Sequence, residues 1–196
     1  MRLEAMALTI PTVEGHPNRI PFEGVLTLVD VASDKAPTGS RGHRVMLTRS
    51  AAEAALPSLL GMAVDYRPGW DGHDARSKCG ILTEANLVGN RLTVAGYLYA
   101  RDFPEVAEEI RSGAAGEMGM SYEIADAHVA DMRAEVWSLT RATFTGAAIL
   151  LRDKAAYRNT CFRLRARSPQ TTAPHRARGA NCLLHSSQHR MPASRL

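Results

Sequence analysis

The chain has 196 residues, 45% of them hydrophobic, and a formal net charge of +4. This length fits one domain with tails, and no apolar run approaches the roughly 20 residues of a membrane-spanning helix. Three widely separated cysteines without a CxxC pair fit neither a disulfide framework nor a zinc site. We therefore expect reduced thiols and no membrane association. The first residues lack the apolar core and small-residue cleavage site of a secretory signal, so we expect a cytoplasmic location. We also expect no cofactor and no metal.

The charge is divided unevenly along the chain. From Arg158 onward there are eight arginines, no lysine and no acid, so the total of +4 leaves −4 on the first 157 residues. From about residue 163 the apolar periodicity is also lost, and such a segment cannot bury enough apolar surface to offset the entropy of ordering it. We predict an extended leader over residues 1–20, able to add an edge segment, a globular domain over 21–162, and a basic, disordered tail over 163–196.

The first elements of the domain are short. Segments rich in β-branched and aliphatic residues predict strands at 24–31 and 44–47. A helix is predicted over 50–56, where Ser50 and Glu53 have the spacing of a capping box and a proline follows the last residue.

A long polar loop and a hairpin come next. Residues 66–78 are rich in glycine, proline and charged side chains, which makes them the best candidate for a loop that carries a site. Strands are predicted at 79–85 and 91–99, joined by a turn at Gly89 and Asn90.

The clearest helix pattern covers 102–113, with Asp102 as its cap and an apolar face of Phe103, Val106, Ala107 and Ile110. Further strands are predicted at 118–124, 135–139 and 142–144, with a buried ending at 146–151. Strands with two or three interspersed helices and no βαβ repeat indicate an α+β domain built on an antiparallel sheet or barrel.

Two polar residues are candidates for catalysis. Ser121 lies in the glycine-containing segment 116–124, on the strand face opposite Met118 and Met120. A serine hydroxyl becomes a nucleophile only with a base within hydrogen-bond reach. His73, in the polar loop, is the best base in the chain. By spacing alone the pair is weak evidence, because most serines and histidines about fifty residues apart never meet.

A different reading of the polar loop is a metal site. Asp71, His73 and Asp74 carry imidazole and carboxylate groups, which suit several divalent ions. Three ligands within four residues crowd one site, so we favour His73 as a base.

Several motifs in order resemble the prohead (capsid maturation) proteases of tailed phages. They are GMAVDY at 61–66, DGHD at 71–74, KCGI at 78–81, GMSYE at 119–123 and FTGAAIL at 144–150. The resemblance spans roughly residues 16–162. It implies a fold similar to the herpesvirus assemblins, a distorted β-barrel with two or three peripheral helices. It also implies a serine endopeptidase in which Ser121 is the nucleophile and His73 the general base.

The resemblance also implies a third catalytic residue after the serine strand. The family acid aligns near Ser138, and we take Glu135, the nearest carboxylate, as this residue. Asp131 and His128 are the alternatives. Backbone amides, helped by Arg141, are expected to stabilise the oxyanion.

The biology implied by the resemblance is capsid assembly. The expected substrates are scaffold and major capsid proteins, and the chain itself, within an assembling procapsid in the host cytoplasm, with a homodimer or higher oligomer as the active form. The alternative is an inactive, protease-derived scaffold or binding protein. An arginine-rich tail can contact nucleic acid by neutralising phosphates, but we favour a tail without this role, including one produced by a frame disruption near residue 163.

Overall fold

Strands dominate the regular structure. The structure is a computed structural model that describes residues 6–11, 13, 15–112 and 117–165. Its strands are β1 (Met6–Ala7), β2 (Arg19–Leu28), β3 (Arg44–Leu47), β4 (Ala63–Tyr66), β5 (Lys78–Val88), β6 (Arg91–Tyr99), β7 (Met118–Val129), β8 (Val136–Leu151) and β9 (Cys161–Leu164). The helices are α1 (Arg49–Ala55), which continues into a 3-10 turn at Leu56–Leu59, and α2 (Pro104–Arg111).

All nine strands belong to one sheet. Its order is β3-β8-β4-β5-β6-β2-β9, with β1 paired to β5 and β7 paired to β8. Most neighbours are antiparallel, but β8 runs parallel to β3 and to β4. These two short strands share one edge of the 16-residue β8, because β7 pairs along the other edge. The predicted α+β class is confirmed, with two parallel pairs that local strand patterns did not indicate.

The sheet curls into a half-barrel whose ends meet through side chains. Strand β7 pairs with β8 at one end of the sheet and also packs against β2 and β9 at the other. Gly24 of β2 allows this approach, because a Cβ there would lie 2.6 Å from Sδ of Met120. The Met120 amide donates to Oγ1 of Thr160 at 3.3 Å. Strand β7 is thus held between both ends of the curl.

The core fills the inside of the curl. Its largest fully buried side chains are Phe22, Phe144, Phe162, Leu26, Leu47, Leu59, Leu82, Leu92, Leu98, Met118, Met120 and Ile149. Of the face predicted for helix α2, Val106, Ala107 and Ile110 are buried, and Phe103, at the N-cap, is partly buried against the core. No helix in the described ranges is long and apolar enough to cross a membrane.

Both helices begin differently from their sequence patterns. Helix α1 is capped by Thr48 instead of Ser50, and Oγ1 of Thr48 accepts a hydrogen bond from the Ala51 amide at 3.3 Å. Asp102 does not cap α2, since its carboxylate accepts a 2.7 Å hydrogen bond from the side chain of Asn18. A tertiary contact thus displaces the predicted cap of α2, whereas α1 uses a different local cap.

The end of the domain is also longer than the pattern indicated. The segments predicted at 135–139, 142–144 and 146–151 form the single strand β8. Residues 163–165, assigned to the tail from sequence, extend β9 along β2, where Arg163 and Arg165 bind Glu23 at 2.6 and 3.0 Å. Hydrogen bonds from Arg163 and Arg165 hold the pKa of Glu23 below its usual range. The rest of the predicted tail lies outside the described residues.

Candidate active site

Ser121 is the fourth residue of β7, on the face opposite the core. Its neighbours Met118 and Met120 are buried, as the period of two predicts, while Ser121 is half-buried. Its backbone pairs with Ala148 of β8. The sheet therefore fixes the Cα position of Ser121 and the face from which its side chain projects.

His73 lies in the loop between β4 and β5, which folds back over the end of β8. The carbonyl of Trp70 accepts a 2.8 Å hydrogen bond from the amide of Leu151. Trp70 has φ of 56°, a left-handed conformation that is unusual for a bulky residue and that concentrates at functional sites. After His73, the Asp74 carboxylate accepts a 3.0 Å hydrogen bond from Oγ of Ser77. The loop is thus fixed on both sides of the histidine.

A buried carboxylate lies beside the histidine. Nδ1 of His73 is 3.3 Å from Oδ1 of Asp65 in β4, and Asp65 is 1% exposed. The other oxygen of Asp65 accepts a 2.8 Å hydrogen bond from Nζ of Lys78. Burial raises the pKa of Asp65, but the contacts with His73 and Lys78 outweigh it and hold the pKa below its usual range. Asp65 is therefore a carboxylate at neutral pH.

Strand β8 brings the serine and this carboxylate together. Ala148 pairs with Ser121 on one side and with Asp65 on the other. Paired residues project from the same face, and two strand spacings put the Cα atoms of Ser121 and Asp65 about 10 Å apart. The small side chain of Ala148 leaves room above β8 for an imidazole ring. His73 and Ser121 both line one cavity of about 950 Å³.

A second carboxylate approaches the same ring nitrogen. Glu123 follows Ser121 by two residues on the same face of β7, and its Oε1 lies 4.0 Å from Nδ1 of His73. Gly146, its partner on β8, makes room for it, since a Cβ there would lie 2.6 Å from Oε2 of Glu123. The side chain of Glu123 is 55% exposed. The imidazole thus spans β8, between one buried and one exposed carboxylate.

The polar atoms of this group have unused hydrogen-bonding capacity. Within the described residues, both ring nitrogens of His73 and Oδ1 of Asp65 are buried without a hydrogen-bond partner. The 3.3 Å contact between them is therefore too oblique for an aligned hydrogen bond. Buried polar groups are normally paired, and catalytic hydrogen bonds often align only when substrate binds. This arrangement can accept a proton from a hydroxyl in the cavity.

The structure does not bring Glu135 to this group. Its side chain is 91% exposed and lies 3.8 Å from Arg44. Glu135 precedes the first residue of β8, which is twelve residues before Ala148 in the same strand. The carboxylate beside His73 comes instead from β4.

The other residues considered for catalysis lie towards the same end of β8 as Glu135. Asp131 accepts a 2.8 Å hydrogen bond from the Arg133 amide. His128 pairs with Arg141, seven residues before the serine's partner on β8, or roughly 23 Å along a strand. The geometry gives none of them a contact with His73.

The sequence analysis did not identify Asp65 and Glu123 as site residues, although a sequence pattern pointed to each of them. Asp65 is an acid inside the apolar segment of β4, and a charged residue in a buried strand needs a partner. Glu123 shares with Ser121 the exposed face of an alternating strand.

The two acids near His73 in sequence have partners of their own. Asp71 lies 3.7 Å from Arg67. Asp74 accepts hydrogen bonds within its own turn, and these lower its pKa. In the described part of the chain, no group of three His, Cys, Asp or Glu side chains is placed to hold a metal.

Comparison with known proteins gives a structural neighbour but no sequence relative. No protein-family model and no curated protein matches the chain. Among solved structures it is similar to the KSHV protease in complex with a hexapeptide phosphonate inhibitor, at 12% identity and a TM-score of 0.47. The match covers 73% of this chain and 64% of the protease, so the chain spans less than two thirds of that protein. The function is therefore argued from the geometry of the site.

Proposed function

We propose that the protein is a serine endopeptidase of the prohead protease type. Ser121 is its nucleophile, His73 the general base, and Asp65 the carboxylate that orients the base, in place of the Glu135 expected from sequence. The observation that carries the proposal is the pairing of Ala148 with both Ser121 and Asp65, beneath a histidine that contacts Asp65.

The reaction is acyl transfer to the serine. Oγ of Ser121 attacks the carbonyl carbon of the scissile peptide while Nε2 of His73 takes its proton. Backbone amides stabilise the oxyanion, the C–N bond breaks, and His73 returns the proton to the leaving amine. Water then attacks the acyl-enzyme with His73 again as base, which releases the new carboxylate and restores Ser121. Asp65 stays ionised throughout and stabilises the imidazolium.

The substrate assignment rests on the motif resemblance around Ser121 and His73. We propose scaffold and major capsid proteins, and the chain itself, as the targets within an assembling procapsid. The cavity of about 950 Å³ is large enough for several residues of an extended peptide.

The test compares the full chain with Ser121→Ala and His73→Ala. Each protein is incubated with the scaffold and capsid proteins encoded beside it, and the products are measured by mass spectrometry. Each is also treated with a fluorophosphonate, which labels activated serines. We expect fragments and a labelled Ser121 peptide with the wild type alone. Folded wild type that yields neither would instead indicate an inactive scaffold or binding protein.

A further inference from the structure

The cavity that holds Ser121 has a positively charged lining, whereas the domain around it is nearly neutral. Four cations and two acids line it, namely Lys35, Arg41, Arg67, Lys154, Asp71 and Glu123. Residues 1–165 hold 19 lysines and arginines, which is 24 less the five beyond residue 165, and all 20 acids. The charged residues of the lining therefore sum to +2, against −1 for residues 1–165 as a whole.

Two of these cations are not neutralised by a carboxylate. Arg67 faces Asp71 at 3.7 Å, and the exposed pair of Lys154 with Asp153, at 3.9 Å, is weak. Among the described residues, Lys35 and Arg41 have no carboxylate within ion-pair distance. Their charge is available to a ligand in the cavity.

The segment that carries these two cations is held in place. Lys35 donates a hydrogen bond to the carbonyl of Asp153, and the amide of Asp34 donates to the Ala156 carbonyl at 2.9 Å. Nearby, the buried hydroxyl of Ser40 lies 2.8 Å from the carbonyl of Pro37. The two charges are thus presented from a folded loop tied to the turn after β8.

The rest of the lining suits a peptide. Trp137, Met132 and Val129 supply an apolar surface in the same cavity, and the ring of Trp137 stacks on His43 at 4.5 Å between centroids. An apolar surface beside two fixed cations is complementary to a segment that combines acidic and apolar side chains. The arginine-rich end of this chain has the wrong sign for this cavity.

We infer that Lys35 and Arg41 bind acidic side chains of the substrate, so that the enzyme selects peptide segments carrying Asp or Glu. The inference rests on the proposed function for its catalytic consequence, but the binding itself is testable without catalysis.

The test measures peptide binding to the full-length Ser121→Ala protein. Two fluorescein-labelled 12-residue peptides are compared, one built of Ala, Leu and Glu, the other with Gln at every Glu. Fluorescence anisotropy should give roughly tenfold tighter binding of the Glu peptide, as expected for two partly exposed ion pairs. The double substitution Lys35→Gln and Arg41→Gln should remove this difference.

A matched control removes two exposed cations outside the cavity, Arg91→Gln and Arg111→Gln, and should keep the preference. Equal binding of both peptides overturns the inference. So does a preference that survives in the Lys35 and Arg41 double variant, because the basic tail would then carry it. Fluorophosphonate labelling is scored separately on protein with Ser121 intact. A Glu preference without labelling would refute the peptidase alone, and labelling without a Glu preference would refute the substrate class alone.

Discussion

The two carboxylates beside His73 should contribute unequally to catalysis, with Asp65→Asn far more damaging than Glu123→Gln. Coulomb's law with an effective dielectric constant of about 20 gives roughly 5 kcal/mol between unit charges 3.3 Å apart, the distance from His73 to Asp65. Over 4.0 Å through solvent the same law gives about 1 kcal/mol for the exposed Glu123. We expect kcat to fall roughly a thousand- to ten-thousandfold in the first variant and less than tenfold in the second.

The assay is single-turnover cleavage of the capsid or scaffold substrate, with the rate of fluorophosphonate labelling as a second readout. Glu135→Gln is the matched control and should behave as wild type. Because Asp65 also neutralises Lys78, the double variant Asp65→Asn with Lys78→Gln separates lost catalysis from a destabilising unpaired charge, and thermal unfolding checks that each protein is folded. A folded Asp65→Asn variant within tenfold of wild type would refute the assignment, as would a thousandfold loss in Glu135→Gln.

Four further properties follow from single side chains. The pKa of Asp65 is lower in the folded protein than its unfolded value of about 3.9, so ionised Asp65 stabilises the fold above that pH, and this stabilisation is lost as the pH falls through the folded value. The free energy of unfolding in urea should therefore fall more steeply below pH ~4 for wild type than for Asp65→Asn, and parallel curves would contradict this. Gly96→Ala would put a Cβ 1.9 Å from the Ile81 carbonyl oxygen and should destabilise by about 2 kcal/mol or more in urea melts, whereas an unchanged midpoint would mean that β5 and β6 can separate freely. Burial raises the pKa of Cys79 to about 12, so in a variant with the other cysteines changed to serine, a thiol reagent at pH 8 should react only after urea unfolding, and rapid native labelling would count against this burial. Glu23→Gln weakens two surface contacts with arginines and should lower the free energy of unfolding by less than about 1 kcal/mol. A loss of several kcal/mol in the same urea melts would contradict this.

Local patterns predicted much of the fold. The hairpin of β5 and β6, the buried face of α2 and the outward face of Ser121 depend on alternation or helical periodicity within a few residues. The length of β8 and its parallel partners were not predictable in this way, because strand register between distant segments is decided by packing. Likewise, Asn18 changed the start of α2 through a contact that no local motif encodes, whereas Thr48 is a local cap of α1 that lies two residues before the capping-box serine.

The candidate site was predicted in part for the same reason. Ser121 and His73 stand in recognisable motifs and line one cavity, although their catalytic roles remain predictions. From sequence, the third catalytic residue was expected after the serine in the chain, at Glu135. The long β8 separates that residue from Ala148, while the short β4 brings Asp65 beside it. Only the pairing of three strands, which is non-local, reveals this neighbour.

The shared pairing of Ala148 divides the site into parts of different mechanical character. Ser121 and Asp65 sit on opposite flanks of one strand, so their separation cannot change without breaking ladder hydrogen bonds. His73 belongs to the eleven-residue loop 67–77, which is attached to the sheet through contacts such as the hydrogen bond from the Leu151 amide to the Trp70 carbonyl. Lifting that segment alone would disconnect the base and leave the sheet intact. In the proposed peptidase, displacement of this one loop would therefore abolish activity without unfolding the sheet.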